Sequence, residues 1–262
     1  MHKTLPARNW SQFDRRIRND DARLLANLSR FPDAILVAGC QRSGTTVVTR
    51  ILREAIEMPP LAFSTDDELD AALVLSGVIE FDTSARCCFQ TTYINDHFLE
   101  YFEHKNFQLI WIIRKPEAVV RSMLYHWRRG ALNRLFRACG RHSLDEKGAR
   151  RFSYFGTHAF RRAEMACLSY NVKTAQVHEI AARLVPERLC ILDYDDLIHR
   201  SDILLPDIFS FASVPYDSRF LQRLRTRNRP GRERLNESTR IQIRETCEHE
   251  YAKAVALAKN WR

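Results

Sequence analysis

Glycine and proline are scarce in this 262-residue chain, at 8 and 9 copies, which excludes a long disordered or low-complexity stretch. Its seven cysteines include no CxxC pair, and Cys87-Cys88 are adjacent, a poor spacing for two ligands of one tetrahedral zinc. An odd, scattered set fits a reduced, cytoplasmic setting better than a secreted disulfide scaffold. No His, Asp or Glu cluster has convincing ligand spacing, so no metal is expected. No apolar run approaches the roughly 18 residues needed to cross a bilayer. The polar, basic start, residues 1–33, lacks the apolar centre of a signal peptide. No transmembrane anchor is therefore expected.

Hydrophobic residues make up 45% and charged residues 28%, an ordinary globular mix for one sizeable α/β domain over residues 1–262. Forty-one Lys and Arg against 32 Asp and Glu give a charge of +9, which suits anionic partners such as nucleotides, sulfated sugars or acidic lipid surfaces. No nucleic-acid recognition motif or aromatic-basic platform accompanies that charge, so no nucleic acid is expected. Oligomeric state leaves no signature in the sequence.

Apolar spacing over residues 10–30 (Phe13, Ile17, Leu24, Leu25, Leu28) predicts a helix within an N-terminal helical extension, about 1–33. Ala34 to Ala38 is a short apolar run that ends at Gly39, the pattern of a buried parallel strand. A helix follows, with Val47, Val48, Ile51, Leu52 and Ile56 at helical intervals. Phe107 to Ile113 predicts a second buried strand, and Pro116 starts a helix running to about His126. Leu189 to Leu192 predicts a third, with further helices over 158–184, 202–212 and 237–258. Residues 128–187 read as a helical insertion, whose Arg- and Gly-rich part to 155 is either a mobile cap or a solvated surface. Strands alternating with helices predict a three-layer α/β fold, a central parallel sheet flanked by helices.

The stretch Gly39-Cys40-Gln41-Arg42-Ser43-Gly44-Thr45-Thr46 has the G-x-x-x-x-G spacing of a P-loop followed by two hydroxyl residues. Such a turn aims backbone N–H groups and a helix dipole at phosphate-like oxygens. Thr45 stands where a nucleotide hydrolase places its Lys, so the loop is poorly equipped for ATP or GTP with magnesium. A cation occurs inside the loop instead, as Arg42. Downstream, Arg114-Lys115-Pro116 leads to Ser122, eight residues beyond the arginine and about two turns into the helix. An arginine at a strand tip and a hydroxyl on the same side of the next helix can bracket one phosphate.

The strings QRSGTT after AILVAG, and Arg114 through Ser122 around a Pro, resemble the two nucleotide motifs of the PAPS-dependent sulfotransferase family, bacterial type. Asp193-Tyr194-Asp195-Asp196-Leu197 is similar to a third family segment that is largely architectural. The resemblance spans roughly residues 34 to 215 and implies a P-loop-like fold. The implied activity moves a sulfuryl group from PAPS (3′-phosphoadenosine 5′-phosphosulfate) to a hydroxyl or amine of a small molecule, lipid or carbohydrate, releasing PAP. Gln41, Arg42, Ser43, Gly44, Thr45 and Thr46 would hold the 5′ end of the nucleotide, and Arg114 with Ser122 its 3′-phosphate. Arg42 would also stabilise the sulfuryl oxygens in the transition state. Arg229, Arg232 and Arg234 near the C-terminus could fold over the 3′-phosphate.

A hydroxyl acceptor needs a general base. Asp66, Asp67 and Glu68 fall about twenty residues after the loop, where many family members carry an acid, although three acids after Ser64-Thr65 also make an ordinary helix start. Asp67 is the leading candidate among them, with His97 and His126 as alternatives. Gln90 stands where the family often has a Lys, and no Pro follows, which puts the charge contribution of that segment in doubt. Two other readings remain beside this one, a P-loop kinase or hydrolase and a PAP-binding pseudoenzyme. The acceptor itself is not named by any residue pattern.

Overall fold

The computed structural model describes residues 7–19, 22–64, 66–81, 85–227 and 233–260. Its centre is a four-stranded sheet of β1 (Ala34–Gly39), β2 (Cys88–Gln90), β3 (Phe107–Ile113) and β4 (Leu189–Asp193), in the order β2-β1-β3-β4. Every pairing is parallel. All six residues of β1 are buried, and β3 is buried at six of its seven positions. That continuous burial is why both strands read as unbroken apolar runs instead of alternating ones.

The chain leaves β1 for β2 on one side, then crosses to β3 on the other, so the order reverses at β1. Ligands in open α/β sheets bind at such a switch point, beyond the carboxyl ends of the strands. Register fixes what meets there. Gly39 pairs with Ile112 and Ile113 with Asp193, so the segments beginning at Cys40, Arg114 and Tyr194 leave the sheet side by side.

The described helices are α1 (Trp10–Asn19), α2 (Thr45–Ala55), α3 (Asp67–Leu75), α4 (Pro116–His126), α5 (Arg129–Ala138), α6 (Glu146–Phe155), α7 (Arg162–Arg183), α8 (Tyr194–His199), α9 (Ser201–Phe211), α10 (Arg219–Arg227) and α11 (Glu237–Asn260). One apolar cluster gathers around the sheet with α1, α2, α3 and α9, and a second lies among α4, α5, α7 and α11. The sequence-predicted strands at 34, 107 and 189 and the helix from Pro116 to His126 are present at those positions. β2 is an addition. Three residues are too few to show a period, and only pairing with Ile35, Leu36 and Val37 defines them as a strand.

One expectation is corrected. The expected helix over 10–30 is shorter: α1 spans Trp10–Asn19, and further on the backbone N–H groups of Leu24 and Leu25 donate to the buried Glu100 carboxylate instead of to helix carbonyls. The helical run over 128–187 divides into α5, α6 and α7. Of these, α7 buries Met165, Tyr170, Val177 and Ile180.

Candidate nucleotide and acceptor site

The loop after β1 is shaped by three positive φ angles. Gly39 (φ +130°) lies so close to β3 that a Cβ would stand 2.2 Å from the Ile112 carbonyl oxygen. Arg42 (φ +75°) and Gly44 (φ +98°) bracket Ser43, and left-handed residues alternating in a turn converge backbone N–H groups into an anion-binding nest. A Cβ on Gly44 would meet the Tyr194 ring at 2.3 Å, so the loop lies against that ring. Ser43 is fully buried, and its hydroxyl has no hydrogen-bond partner among the described residues. Thr45, buried, and Thr46, half-buried, open α2, with Gly44 as its left-handed cap.

Arg114, at the tip of β3, reaches back to this loop. Its Nη1 donates to the Arg42 carbonyl at 3.2 Å, its guanidinium lies over the Tyr194 ring at 4.8 Å, and its Nε is 4.0 Å from Asp195. Its own carbonyl accepts from the Tyr170 hydroxyl at 2.8 Å, which fixes the strand tip to α7. Arg42 turns its side chain towards α4, where Nε donates to Ser122 Oγ at 2.8 Å. Burial, with the Arg114 charge nearby, holds the Arg42 guanidinium below the usual arginine range. Two cations and a hydroxyl thus share one corner.

Both loops open on a cleft of about 1390 Å³, lined by Gln41, Arg42, Thr46, Glu68, Arg114 and Ser122 among others. Gln41 is committed to the cleft wall. Its Nε2 donates to the Thr92 carbonyl at 2.9 Å and to Asn95 Oδ1 at 3.2 Å, and Gln176 holds the carbonyl of Asn95, whose φ is +44°.

The three consecutive acids have separate surroundings. Asp66 caps α3, accepting from the N–H groups of Glu68 and Leu69, and also takes the Trp10 indole N–H at 2.8 Å. Asp67 is tied to Arg50 by bonds of 2.9 and 2.8 Å. Glu68 faces the cleft with cationic groups at a distance. Its Oε2 accepts from Gln90 Nε2 at 3.3 Å and its Oε1 from the Thr92 hydroxyl. Burial pushes its carboxyl up to about 7, the Thr92 bond opposes this, and the Asp66 charge adds to it. The charges of Lys173 and Arg134 pull the other way. Lys173 is itself fully buried on α7, 5.5 Å over the Trp111 ring, and burial lowers its pKa.

His97 lines the cleft, with its Nδ1 3.5 Å from Glu100. That hydrogen bond raises its pKa despite partial burial. His126 lies outside the cleft lining, 3.9 Å from Glu233. Arg229 and Arg232 lie outside the described residues. Arg234, the third of that group, gives its carbonyl to the Tyr125 hydroxyl at 2.8 Å.

The structure therefore brings Arg42, Arg114 and Ser122 into one corner and leaves Asp67 and His97 at the cleft with partners of their own. Sequence reasoning did not assign Tyr194 or Lys173 to the site. Tyr194 had a signal. It directly follows a strand tip, and once β4 is placed beside β3 it must neighbour Arg114. Lys173 had none, because a lysine within an amphipathic helix normally reads as solvent-facing.

A parallel sheet with a glycine-bounded anion loop at its switch point defines the P-loop-like α/β class. A family model described as Sulfotransferase domain matches residues 32–256, and the chain belongs to that family. It is accordingly a sulfotransferase. Among solved structures, a sulfotransferase from Alicyclobacillus acidocaldarius is similar at 13% identity and a TM-score of 0.51, covering 88% of this chain and 98% of that one. A putative steroid sulphotransferase from Arabidopsis thaliana is similar at 16% identity and a TM-score of 0.51, covering 89% and 84%. The sulfotransferase domain from the curacin biosynthetic pathway is similar at 17% and 0.50, covering 74% and 78%. At these identities the likeness concerns fold. No curated protein matches the chain. Among the described residues, no helix is long and apolar enough to cross a membrane.

Proposed function

We propose that this sulfotransferase uses PAPS as donor and a hydroxyl-bearing molecule as acceptor. The observation that carries the reading is the corner shared by Arg42, Arg114 and Ser122, where two guanidiniums and a hydroxyl converge. An orphaned, buried Ser43 hydroxyl and the nest around it fit a second anionic group on the same ligand. Two anion sites on one loop system match a nucleotide phosphorylated at both ends. PAPS, when bound, supplies the sulfuryl group and departs as PAP.

The chain's own residues divide the work. The loop amides, Ser43, Thr45 and Thr46 hold the 5′ end and offset its charge without water between. Arg114 and Ser122 hold the 3′-phosphate. Arg42, whose head is on Ser122, is assigned to that same phosphate, and any stabilisation of the sulfuryl oxygens falls mainly to the loop amides. Glu68 is the general base. Half-buried at the cleft, it is bound by Gln90 and Thr92 and by no cation within hydrogen-bond reach, and a carboxyl raised to about 7 is matched to taking a proton at neutral pH. Thr92 and Gln90 orient it. The seven cysteines are all free and six are buried, which supports a reducing, cytoplasmic setting.

Calorimetric titration of PAP, and of ATP with magnesium, tests the donor assignment. PAP should bind and ATP with magnesium should not, and Arg114→Ala should weaken PAP binding about tenfold or more. Unchanged PAP affinity in that variant would place the 3′ contact elsewhere. PAP binding with no transfer to any hydroxyl acceptor would favour the pseudoenzyme.

A further inference from the structure

The cleft carries more positive charge than the nucleotide corner uses, and the surplus is localised. Arg134 and Arg137 stand three residues apart on α5, and Arg141 four further on in the following turn, so all three face the cleft from one side. Arg15 of α1 lines the same cleft. Arg134 lies 5.5 Å over the Trp10 ring, with its charge acting on Asp14. Arg15, Arg137 and Arg141 are exposed, and their side chains have no hydrogen bond or ion pair among the described residues.

The acids of the cleft do not balance these three. Asp67 is bound to Arg50, and Asp14 feels Arg134 and Arg18. Asp96 lies 3.9 Å from His97 and 3.8 Å from His142. Asp66 is saturated by the α3 N-terminus and Trp10. Glu68 is the remaining acid, and it is the proposed base.

We infer that the acceptor is an anionic hydroxyl compound, carrying a carboxylate or sulfate that Arg137 and Arg141 engage while its hydroxyl lies at Glu68. This rests on the proposed function only in taking the Glu68 side of the cleft as the acceptor side. The argument is electrostatic. Exposed, unpaired guanidiniums at a cleft rim raise the local concentration of anions and fix their orientation, and they repay little on a neutral acceptor. Arginine's planar fork suits carboxylate and sulfate oxygens in a bidentate manner.

The test titrates the PAP-saturated protein with three disaccharides of similar size: one containing glucuronate, one O-sulfated and one neutral. PAP affinity is measured first. At least one anionic disaccharide should bind about tenfold more tightly than the neutral one. That preference should fall to within about twofold in Arg137→Ala/Arg141→Ala, with PAP affinity unchanged. Equal affinities for all three, binding of none, or a preference that survives the double substitution would each overturn the inference. Absence of PAP binding sinks the donor assignment instead, and the sugar titration then runs on the free protein with the same criteria.

Discussion

Arg42 Nε donates to Ser122 Oγ at 2.8 Å, although the two residues are 80 positions apart in the chain. The contact joins the loop after β1 to the second turn of α4. It also places the Arg42 guanidinium near Arg114, where burial and like charge both disfavour its protonated form.

An anion in that corner would relieve the repulsion, so Arg42 should act mainly on donor affinity. Arg42→Ala and Ser122→Ala are each expected to weaken PAP binding, the first by about 10- to 100-fold for the loss of a charge-assisted contact. Because the two side chains touch, the double variant should lose less than the sum of the singles. Titration calorimetry on the four proteins measures this coupling. Strict additivity, or a loss of turnover with PAP affinity intact, would return Arg42 to the sulfuryl group.

Glu68 must be ionised to take a proton. With its carboxyl near 7 in the free protein, kcat/KM should fall about tenfold per pH unit below that value and level off above it. Glu68→Gln should lower kcat by about 10²- to 10⁴-fold and abolish this limb, whereas Asp67→Asn should leave it in place. Stability carries the opposite sign. A carboxyl raised from its ordinary 4.5 to about 7 binds more protons folded than unfolded in that interval. The contribution of Glu68 is therefore full below about 4.5 and is lost as pH rises through 7. Rate profiles and thermal melts across pH 4 to 9 check both halves.

Much of the loop and its arginine partner was legible because its physics is local. A glycine-bounded turn after an apolar run, and an arginine eight residues before a serine around a helix-starting proline, keep their meaning in one dimension. The acidic side of the cleft was not legible. Asp66, Asp67 and Glu68 are equivalent as a string of acids, and only tertiary neighbours separate them: a helix terminus for the first, Arg50 for the second, burial against Thr92 and Gln90 for the third. Tyr194 needed the register of β3 with β4. Leu24 and Leu25 give their backbone N–H groups to Glu100, an acid 75 residues beyond Leu25, a pairing no local pattern announces.

Gly44 is constrained twice, by a φ of +98° and by the Tyr194 ring where a Cβ would stand. Gly44→Ala should therefore cost about 1–2 kcal/mol in backbone strain alone, with a further loss if Tyr194 must move. Displacing Tyr194 would also disturb the ring beneath Arg114, so PAP affinity should fall together with Tm. A variant with normal Tm and normal PAP affinity would show that the loop does not rest on Tyr194.

Lys173 offers a test of the base that leaves the cleft lining untouched. Its ammonium is buried over Trp111 and lowers the pKa of Glu68, while burial lowers its own. Lys173→Met keeps the length of the side chain and removes the charge. The acid limb of kcat/KM should then move to higher pH by up to about one unit, because Glu68 loses a neighbour that favours its ionised form. Tm should hold or rise, since burying an ammonium is costly and methionine is not. The wild-type lysine, with its folded pKa depressed, binds fewer protons folded than unfolded as pH approaches 10.5, so stability rises with pH there and the variant should lose that rise. An acid limb that stays in place would show that the Lys173 charge does not reach Glu68, whereas one that moves to lower pH would contradict the assignment of Glu68 as the titrating base.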